Sequence, residues 1–167
     1  MEKNFKIIFE GPDGAGKSTL AELVSQALEL PLRGRITRVG PSNVFEVNKK
    51  DLTAPGVAVL DRCYWLSDLI YEPIYSNTPS VLQFMNMHEY DLLNTILVYV
   101  DCSDDAIKER IGDRGDELYS INQILKAANR YRCFFATYTR TLIKVDTSKK
   151  SLGENVSYLC NELRKYI

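Results

Sequence analysis

The sequence predicts an α/β domain built around a parallel sheet, and three observations carry that expectation. Apolar runs of strand length recur along the 167 residues, the segments between them are long enough for helical crossovers, and a glycine-rich loop joins the first run to a helical pattern. The length fits one domain with a real core. No repeat, low-complexity tract or interdomain linker divides it, so residues 1–167 are read as a single unit.

The elements follow in order. Phe5-Lys6-Ile7-Ile8-Phe9 is the first strand. Leu20, Leu23, Val24, Ala27 and Leu28 then fall at i, i+3, i+4, i+7 and i+8, the pattern of an amphipathic helix that ends near Pro31. Arg33 to Pro55 mixes Gly, Pro, Asn and Lys with short apolar stretches and reads as a loop carrying one short strand. Val57 to Leu60, Thr95 to Val100 and Leu142 to Val145 read as buried strands. Helix starts are signalled by Ser103 with Asp104 and Asp105, Ser120 with Gln123, Ser151 with Glu154, and Thr78 before Pro79. The last helix repeats its core pattern through Leu152, Val156, Leu159, Cys160, Leu163 and Tyr166.

Composition narrows the partners. A net charge of −1 creates no general field for nucleic acid or anionic lipid, so any anion must be held by local arginines and backbone groups. Cys63, Cys102, Cys133 and Cys160 are widely spaced, with no C-x-x-C pair and one histidine in the chain; they read as small core residues, not as zinc ligands or disulfides. A reduced, cytoplasmic protein is expected. The first residues lack a basic stretch leading into a long apolar one, and no segment approaches membrane-spanning length, so no membrane partner is expected.

The chemistry concentrates in Gly11-Pro12-Asp13-Gly14-Ala15-Gly16-Lys17-Ser18, a full G-x-x-x-x-G-K-[ST] loop between the first strand and first helix. Glycines let the backbone curl so that successive N–H groups point at phosphate oxygens, and the positive end of the helix adds to the anion site. Lys17 reaches outer phosphates and the Ser18 hydroxyl ligates magnesium. Residues from Gly11 to Thr19 are therefore expected to hold ATP. A second signal is Gly56 to Arg62, an apolar strand that delivers Asp61 and Arg62 to its carboxyl end, where open α/β sheets bind ligands. Another apolar strand ends in Asp101, so the pattern alone does not choose between the two acids. Arg62 favours Asp61, because a cation beside the acid suits an acceptor phosphate as well as magnesium. Arg110 and Arg114 lie four apart before Gly115 and Asp116. Such a pair shares one helix face, and the break into Gly115-Asp116 that follows suits a closing lid at about 110–120; a solvated helix end with cations at its carboxyl terminus is the other reading.

These pieces resemble the thymidylate kinases and related deoxynucleoside monophosphate kinases. The resemblance is carried by Phe9-Glu10 through Ser18, by Thr37-Arg38 with Gly40-Pro41, by Leu60-Asp61-Arg62 followed by Ser67 and Tyr71, and by Val145-Asp146-Thr147-Ser148. The stretch from Arg38 to Asp61 is shorter than in cellular members, and Cys63 is an extra residue before Tyr64-Trp65, an outline closer to short phage-type enzymes. The resemblance implies a three-layer P-loop NTPase fold with a five-stranded parallel sheet in the order 2-3-1-4-5 and a small lid. It implies phosphoryl transfer from ATP with magnesium to a small-molecule nucleotide acceptor, and a homodimer. Asp13 would contact the acceptor deoxyribose, Arg38 and Arg62 its phosphate, and Thr147, Ser148 and Lys149 the adenine of ATP. Lys17, Arg110 and Arg114 would neutralise the donor.

Other signals are weighed against this. Asn48-Lys49-Lys50-Asp51 matches the guanine signature of GTPases, but it precedes the Asp61 strand when it should follow a late one, and is read as chance identity. His88 sits in a helically spaced stretch and reads as a helix-surface or core residue. Tyr64 and Tyr71 are candidates to stack on an acceptor base, whereas Trp65 has helix-core spacing. Two rival functions stay open: a nucleoside or nucleic-acid 5′-hydroxyl kinase in which Asp61 is the base, and a nucleotide-binding switch without phosphotransfer.

Overall fold

The computed structural model describes residues 4–34, 50–63, 66–67, 69–71, 94–114 and 119–167, with backbone alone at Asp113 and Arg114. Five parallel strands, β1 (Lys6–Glu10), β2 (Leu32–Arg33), β3 (Ala58–Asp61), β4 (Thr95–Asp101) and β5 (Leu142–Asp146), form one sheet in the order β2-β3-β1-β4-β5. That is the order the resemblance implies. Lys6 pairs with Ala58 on one side and Thr95 on the other, so the three central strands start level, while β4 runs two residues past the end of β1.

Helices α1 (Lys17–Ala27), α2 (Asp104–Arg114), α3 (Ile121–Thr137) and α4 (Leu152–Leu163) cover both faces. Ile7, Phe9, Val59, Val98 and Val100 point into one cluster with Leu20 and Val24 of α1 and Leu159 and Leu163 of α4. Ile8, Leu60, Leu97 and Tyr99 point into the other, with Tyr131 and Phe135 of α3. A strand covered twice needs apolar residues at every position, which is why the strands read as unbroken runs and not as alternating ones. The result is a three-layer α/β fold.

Helix starts at α3 and α4 follow the sequence signals. Ser120 and Gln123 form a reciprocal capping box, as do Ser151 and Glu154, and the Ser103 hydroxyl accepts from the Ala106 N–H at 3.2 Å. Thr78, His88 and Trp65 lie outside the described residues. The buried stripes are narrower than expected. Leu159, Cys160 and Leu163 are buried, but Leu152 in the first turn and Tyr166 beyond the last are exposed; Ala27, at the end of α1, is exposed too. Cys133 is likewise exposed, because the buried face of α3 is made by Ile124, Ala127, Ala128, Tyr131 and Phe135. The other three cysteines are buried and all four are free.

The short strand expected between Arg33 and Pro55 starts one residue earlier, at Leu32, and is the sheet's edge. Residues 35–49 lie outside the described residues, so Asn48 and Lys49 do too; Lys50 and Asp51 belong to the helical residues 50–53 that lead into β3. At the amino end of β1, Lys6 is buried within the strand. Its ammonium donates to the carbonyls of Ala54 and Gly56, both at 2.7 Å, and to Asn4 Oδ1 at 3.3 Å. Burial, with Arg33 nearby, lowers its pKa.

Candidate nucleotide site

The loop after β1 curls because its glycines allow it. Gly11 has φ +153°, and a Cβ there would overlap the Val100 carbonyl oxygen of β4. Gly16 caps α1 at φ +88° with no side-chain cap, so the first N–H groups of the helix are left to a ligand. Lys17 folds back over this cup: it is 4% exposed, donates to the Pro12 carbonyl at 2.7 Å and lies 3.8 Å from Asp13 Oδ1. Burial, and then Arg62, lowers its pKa to about 8 against the pull of Asp13, Glu10 and Asp61. Ser18 is half-buried and Thr19 exposed on the first turn of α1.

Parallel pairing of Phe9 with Asp61 brings the end of β3 against the loop. Asp61 is 5% exposed, and its buried Oδ1 has no hydrogen-bond partner among the described residues. Asp101, the other strand-end acid, is already committed. It accepts from Arg132 Nε at 3.3 Å and from the Cys102 N–H at 2.9 Å, and Arg132 extends to Asp104. The buried Asp61 carboxylate and the Ser18 hydroxyl are hard oxygens of the kind that fit magnesium, which takes one or two protein oxygens and completes its shell with water and phosphate. Among the described residues no group of three or more His, Cys, Asp or Glu side chains forms a metal site by itself.

Asp13 is the hinge of the other end. Its Oδ1 accepts from the Arg62 guanidinium; its Oδ2 accepts from the Tyr71 hydroxyl at 3.0 Å, and its N–H donates back to that hydroxyl at 3.2 Å. Burial pushes the Asp13 carboxyl up, but Lys17, Arg62 and Tyr71 outweigh it and hold it below the usual range. Burial disfavours the Arg62 charge, yet Asp13 raises its pKa further still. Arg62 reaches this position through a left-handed backbone, φ +79°, with its N–H on the Phe9 carbonyl at 3.1 Å. The Tyr71 ring is packed beside Tyr119 and Tyr131, at centroid distances of 5.4 and 6.2 Å, and is 4% exposed. Arg38 and Tyr64 lie outside the described residues.

Sequence reasoning passed over Glu10. The carboxylate is fully buried; Oε1 accepts from the Cys63 N–H at 2.6 Å and from Ser67 at 3.1 Å, and Oε2 from the Tyr131 hydroxyl at 2.9 Å. Burial pushes its pKa up, opposed by Arg62, the Cys63 N–H and Lys17. An acid directly after the apolar Ile7-Ile8-Phe9 and just before the loop was the available signal.

On the far side of the loop, Arg110 of α2 donates to the Gly14 carbonyl at 3.0 Å, to Thr147 Oγ1 at 2.8 Å and to the Thr147 carbonyl at 3.0 Å. Thr147 in turn donates to the Ala15 carbonyl at 2.8 Å. Ser148 bonds Asp146 and accepts from the Ser103 N–H, and exposed Lys149 pairs with Asp146 at 3.1 Å. The turn at 147–149 thus borders the loop opposite Asp13 and Arg62. α2 runs to Arg114, so Arg110 and Arg114 belong to one helix as expected; the Arg114 side chain and residues 115–118, where the break into Gly115-Asp116 is expected, lie outside the described residues.

Sheet order, layers and loop together define the P-loop NTPase architecture. No protein-family model matches the sequence, and no curated protein does. Among solved structures the chain is similar to the YorR protein of Bacillus subtilis in complex with phosphorylated GDP, at 24% identity over 97% of this chain and 98% of that one, with a TM-score of 0.74. It is similar to a deoxyadenosine kinase from M. mycoides with dCMP and dCDP bound, at 18% identity, 96% and 99% coverage and a TM-score of 0.75. A thymidylate kinase from Candida albicans gives 18% identity, 98% and 92% coverage and a TM-score of 0.69. At these identities the likeness establishes the shared fold.

Proposed function

We propose that the protein transfers the γ-phosphoryl group of ATP to a deoxynucleoside 5′-monophosphate, giving the diphosphate. The observation that carries this reading is the Arg62 guanidinium, delivered by β3 to the edge of the phosphate loop and held there by Asp13. A phosphate loop alone describes any NTPase. A half-buried arginine at its acceptor side supplies a second anion site within reach of the first. The descriptions of the similar structures are in keeping with it: a deoxyadenosine kinase holding dCMP and dCDP, a thymidylate kinase of broad specificity, and a protein holding phosphorylated GDP.

In this reading the protein works by placement and charge. Lys17 and the α1 N-terminus bind donor phosphates, with Arg110 bracing the loop against Thr147. Ser18 and Asp61 would hold magnesium, which when bound offsets phosphate charge. Arg62, with Arg38, would hold the acceptor phosphate in line, and Asp13 its deoxyribose. A monophosphate with a second pKa near about 6 is mostly dianionic at neutral pH, so the acceptor oxygen attacks without a strong protein base. Positioning and charge cancellation then supply the rate.

The 5′-hydroxyl kinase reading draws on Asp61 Oδ1, which has no hydrogen-bond partner among the described residues and could take a proton from an alcohol. An ADP-release assay across the four common deoxynucleoside monophosphates, the corresponding deoxynucleosides and a short 5′-hydroxyl DNA separates the readings. Turnover with monophosphates alone is the expected result. Turnover confined to nucleosides or DNA overturns it, and ATP binding with no ADP release from any acceptor identifies a switch protein. A homodimer is part of the proposal and is read by light scattering on the eluted protein.

A further inference from the structure

We infer that Tyr119 is a positioning residue for the acceptor end of the site: its ring fixes Tyr71 and, through the Tyr71 hydroxyl, the Asp13 carboxylate that holds Arg62. The inference rests on the acceptor assignment proposed above.

Tyr119 is planted on a rigid support. It immediately precedes Ser120, whose N–H donates to Gln123 Oε1 at 2.9 Å while its hydroxyl accepts from the Gln123 N–H at 3.3 Å, closing the capping box of α3. A residue at this position sets the entry angle of the chain by packing on the first turns of the helix. Tyr119 does so while touching both apolar clusters, one on each face of the sheet.

The ring then becomes a wall for Tyr71. The two centroids are 5.4 Å apart with planes 30° from parallel, and Tyr131 closes another side edge-on at 6.2 Å and 71°. Tyr131 is itself fixed by its bond to Glu10 at 2.9 Å. A tyrosine has two side-chain torsions, so neighbours on two sides narrow the direction its hydroxyl can take. That direction is Asp13, through the donated bond at 3.0 Å and the accepted one at 3.2 Å. With Oδ2 committed to Tyr71, Oδ1 is turned to Arg62. The donor end is built from other residues, among them Lys17, Arg110 and Thr147, so a loosened Tyr71 strikes the acceptor first.

The test is steady-state kinetics with ATP and whichever of dAMP, dCMP, dGMP and dTMP turns over fastest. Tyr119→Ala is expected to raise the acceptor KM roughly three- to tenfold, the fold-change equivalent of one aromatic pair, with the ATP KM within about twofold of the parent. Tyr119→Phe keeps the ring and is expected to restore the parent values. Combined with Tyr71→Phe, Tyr119→Ala is expected to add little, because both act through Asp13. If Tyr119→Ala does not fold, Tyr119→Leu, which keeps apolar bulk over the start of α3, is held to the same standard. An unchanged acceptor KM, equal rises in both KM values, or additive losses in the double variant overturns the inference while leaving the proposed reaction standing. A parent enzyme that releases no ADP with any monophosphate removes that reaction, and the inference with it.

Discussion

Arg62 and Asp13 hold each other across the junction of two strand ends, the arginine from β3 and the carboxylate from the loop after β1. In the proposed reaction the pair holds a half-buried cation at the acceptor side of the site, oriented before any anion arrives.

Arg62→Ala tests that arrangement. Loss of a charge-assisted bond of ~1.5–3 kcal/mol should lower kcat/KM for the acceptor roughly 10- to 100-fold. Affinity for ATP with magnesium, measured by calorimetry, should stay within about threefold, since Lys17 and the loop backbone are untouched. Equal losses at both ends would contradict the division of the site.

Asp61→Asn keeps the size of the side chain and removes its charge. Turnover should fall about 100-fold, as when one preorganised electrostatic group is lost, and more magnesium should be needed for half-maximal rate. The pH–rate profile should keep its shape for a monophosphate acceptor. Disappearance of an acid-side limb in the variant would instead assign Asp61 as a base and the acceptor as an alcohol.

Lys17 provides a pH signature. Burial lowers its pKa to about 8, and bound phosphate opposes that by favouring the ammonium. ATP binding between about pH 8 and 9 should therefore take up protons, seen as a dependence of calorimetric enthalpy on buffer ionisation heat, and Lys17→Met should abolish it. The sign for stability follows from the same shift. Between about pH 8 and its ordinary 10.5 the unfolded chain binds more protons at this lysine than the folded one, so this group makes stability rise with pH across that window. Lys17→Met should flatten the rise in urea denaturation of the ligand-free protein.

Two glycines of the loop should differ in substitution. A Cβ at Gly11 collides with the Val100 carbonyl, whereas at Gly16 it meets nothing within 4 Å and only the left-handed backbone resists. Gly16→Ala should cost about 1–2 kcal/mol. Gly11→Ala should cost more than about 3 kcal/mol, because overlap with fixed backbone is added to the same penalty. Urea midpoints at constant slope give both values.

Much of this was legible beforehand because it is local. An apolar run, a G-x-x-x-x-G-K-S spacing and Ser-x-x-Gln or Ser-x-x-Glu boxes each act through neighbours in sequence, and β1, α1, α3 and α4 appear where those signals stand. Capping boxes were read correctly for that reason, while the limits of the buried stripes at Leu152, Ala27 and Tyr166 were not, since they depend on what packs opposite. Glu10 shows the harder limit. Its partners Cys63, Ser67 and Tyr131 come from three places in the chain, and only the closed sheet brings them to one carboxylate. Asp101 is engaged in the same way, by Arg132 arriving from α3, a partner that its place at a strand end does not announce.

Lys6 carries a consequence for how such chains diversify. Its grip on Ala54 and Gly56 fixes the return of the polypeptide into β3, as pairing of Leu32 with Val59 fixes its departure from β2. The stretch between is thereby bracketed at both ends by contacts that owe nothing to its own length. Closing a longer connection costs only about 0.6 kcal/mol per doubling, so the anchors at Leu32, Ala54 and Gly56 would keep β2 and β3 in register whatever the length of chain between them.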